Sequence, residues 1–188
     1  MRMFVVRHGE SENNISALWS GWSDVNLTQK GYEDAQKVGE MLKNIKFDRV
    51  YSSDLKRAVE TAKTALPGCD CHQSRLLREV NVGNIAGSPY SCISYEKRVY
   101  ASKYGYGEFG GESREEFRNR LISFIKEIEK EDFENVILFS HAGVLTEMLS
   151  IVTDSEFTKR KIKCTNCAYM IAEYADNEWK LHSWNNLI

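Results

Sequence analysis

The chain has 188 residues, 42% of them hydrophobic, and its 25 basic and 27 acidic side chains leave a formal net charge of −2. That length and apolar share suit one domain, residues 1–188, around one core, and the charge balance provides no basic field for nucleic acid. No apolar run approaches the roughly 20 residues of a membrane span, and Met3–Val6 is too short for a signal-peptide core.

An apolar run predicts a first strand over 2–7, ending in Arg7-His8-Gly9. Thr28 then caps a helix over 28–44, whose apolar stripe is Ala35, Val38, Met41 and Leu42. A strand over 48–52 runs into a helix over 54–65, with Ser53 or Asp54 as N-cap and Arg57 in the first turn or so. A cation at that end of a helix is mildly unfavourable unless an anion binds in front of it. A short strand is expected near 74–78, followed by a long loop with some helix over 88–106. A helix over 112–130 carries Phe117, Leu121, Phe124, Ile125 and Ile128 on one face. A strand over 135–140 ends in Ser140-His141, and a helix follows over 143–152. Strands over 164–174 and 178–184 turn at Asp176-Asn177. The rhythm implies an α/β fold: a three-layer sandwich, mostly parallel, with helices on both faces and a final antiparallel edge hairpin.

Two strands that both end in a His-containing turn, one beside an Arg, bring imidazole and cation to the sheet edge where open α/β folds place ligands. A neutral imidazole can attack phosphorus, and a guanidinium can hold phosphoryl oxygens through parallel hydrogen bonds. Glu79, after a short apolar stretch and before glycine turns, is a candidate general acid, although such a residue is more commonly a surface carboxylate. The five cysteines, an odd number, suggest reduced thiols in a cytoplasm. Cys164 and Cys167 invite a metal or redox reading, but in a regular strand residues i and i+3 face opposite ways. The 88–106 segment is tyrosine-rich and basic. It reads either as a cap packing its rings on the domain or as a lid that selects the substrate's non-phosphate part, and both can hold.

Six ordered blocks resemble the histidine phosphatase superfamily, which includes phosphoglycerate mutases and many small phosphatases. They are Arg7-His8-Gly9-Glu10-Ser11 with Asn14; Gly21-Trp22-Ser23-Asp24 with Leu27-Thr28 and Gly31; and Ser52-Ser53 with Leu55, Arg57-Ala58 and Thr61-Ala62. Leu77, Glu79 and Gly83, then Gly110-Gly111-Glu112-Ser113, then Ser140-His141-Ala142-Gly143 complete the set. Ile85 and Ala86 depart from the family pattern in a loop expected to affect substrate selection, and Phe109 stands where a Pro commonly precedes the Gly-Gly-Glu-Ser block. The resemblance implies His8 as nucleophile, Glu79 as proton donor and acceptor, and Arg7, Arg57 and His141 around the phosphoryl oxygens. It implies Asn14, Gly21, Ser11 and Ala142 as substrate-binding positions, with no cofactor and no metal.

The resemblance further implies a phosphatase acting on small phosphomonoesters through phosphohistidine, α-ribazole phosphate among them. A cofactor-dependent phosphoglycerate mutase is the alternative. Mutases of this family carry a longer insertion than the about thirty residues between Glu79 and Gly110, and a longer tail. A non-catalytic module that binds phosphorylated ligands is a further alternative, expected to lack His8, Arg57 or Glu79. A homodimer is compatible with this reading but not dictated by it.

Overall fold

Alternation along the strands decides the layers. In β1 (Arg2–Arg7), Met3 and Val5 face one way and Phe4 and Val6 the other, all buried. In β4 (Asn135–Ser140), Val136 and Leu138 join the first pair, and Ile137 and Phe139 the second. Two cores result, one on each side of the sheet. The computed structural model describes residues 1–155 and 162–186. The expected single domain over 1–188 also spans 156–161 and 187–188, which lie outside the described residues.

The strands β2 (Arg49–Ser53), β3 (Cys71–Ser74), β5 (Tyr169–Ala175) and β6 (Glu178–Asn185) complete a six-stranded sheet in the order β3-β2-β4-β1-β5-β6. β3, β2, β4 and β1 run parallel, and β5 and β6 are antiparallel at one edge. The helices α2 (Gln29–Leu42) and α3 (Lys56–Ala65) bury Val38, Leu42, Ala62 and Ala65 against one face. On the other face, α5 (Arg114–Ile128) and α6 (Ala142–Val152) bury Leu121, Phe124, Val144 and Met148. The mostly parallel three-layer arrangement expected from the alternation is therefore present.

The cap expected for α2 is present, that expected for α3 is not, and α5 has a capping box. Thr28 accepts from Gly31 N, and Ser113 and Glu116 form a reciprocal box at the start of α5. At α3 the N-cap is Leu55, not Ser53 or Asp54. Asp54 is drawn away by a two-pronged pair with Arg78, at 2.7 and 2.6 Å, and Asp24 accepts from Lys56 N instead.

Other local differences have similar long-range causes. The short strand lies at 71–74, because Arg75–Leu77 tightens into a 3-10 turn that buries Leu77. Residues 164–168 form no strand: Cys167 adopts φ 56° and Cys164 turns its carbonyl to Arg7, so strand alternation does not govern the two cysteines. Met41 is 47% exposed, leaving the stripe of α2 to Ala35, Val38 and Leu42. One short helix adds to the expected set, α1 (Glu12–Ile15), and the helix expected within 88–106 is α4 (Tyr95–Tyr104).

Candidate active site

Parallel register brings the two histidines together. Arg7 on β1 pairs with Ser140 on β4, so the next residues, His8 and His141, leave the sheet side by side. His8 N donates to Ser140 O at 2.9 Å, and the two ring centroids lie 5.3 Å apart. α3 starts just beyond the end of β2 and carries Arg57 at its second position, almost fully buried. Arg57 Nε donates to His8 Nε2 at 3.2 Å, while its Nη atoms donate to Ser23 O and Gly21 O, both at 2.9 Å. Gly21 sits at φ 47°, and a Cβ there would come within 2.6 Å of Val82 Cγ2. The glycine therefore meets both the turn and the close approach.

These contacts set the tautomer of His8. Nδ1 lies 2.7 Å from Gly9 O, which can only accept, so Nδ1 carries the proton and Nε2 presents its lone pair. Burial, reinforced by Arg57, His141 and Arg7, holds the imidazole well below the usual histidine range. The Gly9 carbonyl opposes this only in part. Burial also pushes the Arg57 guanidinium down to about 10, against the attraction of Glu79 and Asp24. It remains a cation at neutral pH. Arg7 is tied to Cys164 O at 2.5 Å.

Glu79 approaches from the opposite core. Its Oε1 accepts from Val80 N at 2.9 Å and its Oε2 from Gly143 N at 3.2 Å, in the first turn of α6. A carboxyl held by two backbone donors has a fixed direction. Its backbone is fixed too, since Glu79 O accepts from Trp22 Nε1 and Arg120 Nη2. Arg120 is in turn paired with Glu112 of the Gly-Gly-Glu-Ser block, whose Oε2 accepts from Asn81 N. Gly83, at φ 63°, passes so close to this block that a Cβ would lie 2.0 Å from Phe109 O.

Asn14 is oriented by its neighbours. Its Oδ1 accepts from Ser11 N, Ser11 Oγ and Asn166 Nδ2, at 3.1, 3.0 and 3.0 Å. The amide NH₂ is thereby directed to the cavity that Asn14 lines. Asn166 also donates to His8 O at 3.2 Å. No local signal in the sequence marks Asn166, because its partners lie about 150 residues away.

Arg7, His8, Asn14, Gly21, Arg57, Glu79 and Ala142 all line one cavity of about 470 Å³. His141, beside the His8 ring, is fully buried and does not line the cavity. Ser11 is also fully buried and acts through Asn14 rather than on the cavity wall. The far wall is aromatic, with Trp19 edge-on to Tyr90 and Tyr106 at 5.0 and 5.6 Å. α4 adds Tyr95, Arg98 and Ser102. Among the described residues no cluster of three or more His, Cys, Asp or Glu side chains could hold a metal, and no helix is long and apolar enough to cross a membrane.

Comparison with known proteins agrees with this geometry. A family model described as the histidine phosphatase superfamily, branch 1, matches residues 3–187. A broad-specificity phosphatase of Saccharomyces cerevisiae is 32% identical, over 93% of this chain and 80% of its own. An adenosylcobalamin/alpha-ribazole phosphatase of Salmonella typhimurium is 33% identical, over 80% of this chain and 78% of its own. Among solved structures, a phosphoglycerate mutase from Bacillus anthracis superposes with a TM-score of 0.83 at 26% identity, covering 97% of this chain and 92% of that one. With the paired histidines, the buried arginine and the anchored glutamate in place, the chain belongs to branch 1 of the histidine phosphatase superfamily.

Proposed function

We propose that this protein hydrolyses phosphomonoesters of small metabolites through a phosphohistidine on His8. The observation that carries the reading is the pair of contacts on that ring: Nδ1–H held by Gly9 O, and Nε2 facing the Arg57 guanidinium. At 3.2 Å the Arg57 contact is at the long end of the hydrogen-bond range and can be exchanged for a phosphoryl oxygen. Nε2 then attacks phosphorus, the ester P–O bond breaks, and Glu79 gives its proton to the leaving oxygen. In the second step Glu79, now a carboxylate, takes a proton from water as the water oxygen attacks phosphorus. The P–N bond breaks, and neutral His8 and inorganic phosphate remain.

Arg7, Arg57, His141 and the NH₂ of Asn14 are the groups assigned to the phosphoryl oxygens. The relatives named as phosphatases favour hydrolysis over the mutase alternative. Likeness to the Salmonella enzyme makes α-ribazole phosphate one candidate substrate. A non-catalytic role finds no support in a chain that brings His8, Arg57 and Glu79 to one cavity. A cytoplasmic setting fits five cysteines that are all thiols.

A panel of phosphomonoesters assayed for inorganic phosphate, with and without EDTA, tests the reading. Release that survives the chelator is expected, because two arginines already supply the positive charge. Release that returns only with added Mg²⁺ or Zn²⁺ would contradict it.

A further inference from the structure

We propose that Cys69 and Cys71 form a redox-modification site, in which a small disulfide of the glutathione class oxidises the two thiols to an intramolecular disulfide that thiols readily reduce again. The pair lies apart from the phosphoryl cavity, which neither residue lines, and is independent of the chemistry assigned to His8.

The course of the chain places both sulfurs on one side. Cys69 follows the turn that ends α3, where its N–H donates to Leu66 O at 3.1 Å, and Cys71 is the first residue of β3. Both side chains pack against the core that Phe4, Val50 and Ala62 share. Asp70, between them, points the other way, its side chain 92% exposed. That is the alternation of an extended chain, with i and i+2 on the same face. The two thiols are hydrogen-bonded to each other, and Cys71 Sγ lies 3.3 Å from Ser52 Oγ on the neighbouring strand β2. Neither residue is fully buried, so a small reagent can reach them. Cys164 and Cys167, by contrast, pack into opposite cores.

Bond formation asks little of the backbone. Two residues of extended chain span about 7 Å at most, the upper limit for a bridged Cα pair. A pair near that limit closes with strain, and strained disulfides are the easily reduced ones. The closed loop is too short to stabilise the fold much by restricting the unfolded chain, so the bond is a reversible modification rather than a staple. Burial and the contact with Cys71 push the Cys69 thiol up. Cys71, with the Ser52 hydroxyl beside it as a donor, therefore attacks first. Its thiolate displaces one thiol from the reagent's S–S bond and is left in a mixed disulfide. Cys69 then gives up its proton, its sulfur attacks Cys71 Sγ, and the second thiol leaves. Two protein thiols are oxidised, and one disulfide is reduced to two thiols. The neighbouring sulfur acts at an effective concentration of about millimolar or more, so closure outruns further exchange with dissolved glutathione.

The test equilibrates the native protein with oxidised and reduced glutathione, alkylates it and digests it with trypsin. Cys69 and Cys71 then share peptide 64–75, which holds no other cysteine. Mass spectrometry is expected to find that peptide lighter by two hydrogens, unalkylated and free of glutathione, while Cys92 is alkylated or carries glutathione. Excess reduced glutathione should restore alkylation of both thiols. Cys69→Ser should instead retain glutathione on Cys71, at least about tenfold more than the wild-type peptide does. Glutathione retained on wild-type Cys71, or alkylation of both thiols under conditions that modify Cys92, would overturn the proposal. Mass rather than turnover is read, so either result leaves the phosphatase reading to its own assay.

Discussion

Glu79 is held by two backbone N–H groups, and that limits what its replacement can mean. Glutamine keeps the size of the side chain but has one oxygen, so one of the two N–H groups will face an NH₂. A loss common to all substrates is therefore expected from Glu79→Gln. The diagnostic is the difference between leaving groups. An alkoxide needs a proton in the transition state, and 4-nitrophenolate scarcely does. General acid catalysis contributes about 10²–10⁴-fold. Single-turnover phosphoenzyme formation from alkyl phosphates should fall by about that much more than formation from 4-nitrophenyl phosphate. Equal losses on the two would remove Glu79 as the acid and turn attention to Glu10, whose carboxylate is engaged by Thr28 Oγ1 at 2.9 Å.

Among the secondary-structure elements, the least legible contribution is the turn before β5. Asn166 fixes both the His8 backbone and the Asn14 amide. Asn166→Ala removes both hydrogen bonds and lets the Asn14 amide rotate, so kcat/KM should fall by about tenfold, from net hydrogen-bond terms of about 1–1.5 kcal/mol. Steady-state kinetics alongside a thermal scan checks this. An unchanged kcat/KM would mean that Asn14 is held by Ser11 alone.

This turn was hidden in the sequence because Cys164 to Tyr174 reads as one strand. What breaks that run is a contact with Arg7, far away in the chain. The cap of α3 was obscured for the same kind of reason, since Arg78 reaches back to Asp54, and the strand at 71–74 because the chain tightens into a 3-10 turn at Arg75–Leu77. His8 and His141 were legible because each follows a strand end at a glycine-containing turn, whereas Arg57 and Glu79 read locally as surface charges and were marked by the family blocks. The Gly-Gly-Glu-Ser block was legible as a motif, but not its task. Glu112, through Arg120, anchors the segment that carries Glu79.

For the molecule as a whole, the sheet order does most to assemble the site. Placing β1 beside β4, with β2 next outward, brings the ends of three parallel strands to one edge. The helices after two of them, α3 and α6, start at that edge and carry Arg57 and the donor to Glu79. The 88–106 segment contributes to both the cap and the cavity: Tyr90 and Tyr106 pack on Trp19 at the cavity wall, whereas Tyr100 and Tyr104 face solvent.

Such an arrangement has one chemical signature, a phosphoryl group resting on His8 between two transfers. Rapid-quench labelling with a ³²P-phosphomonoester reads it directly. The account predicts acid-labile label on His8, absent from His8→Ala, that chases into inorganic phosphate faster than onto any second hydroxyl of the substrate. Label that persists in His8→Ala, sits on His141, or returns mainly to the substrate would contradict it.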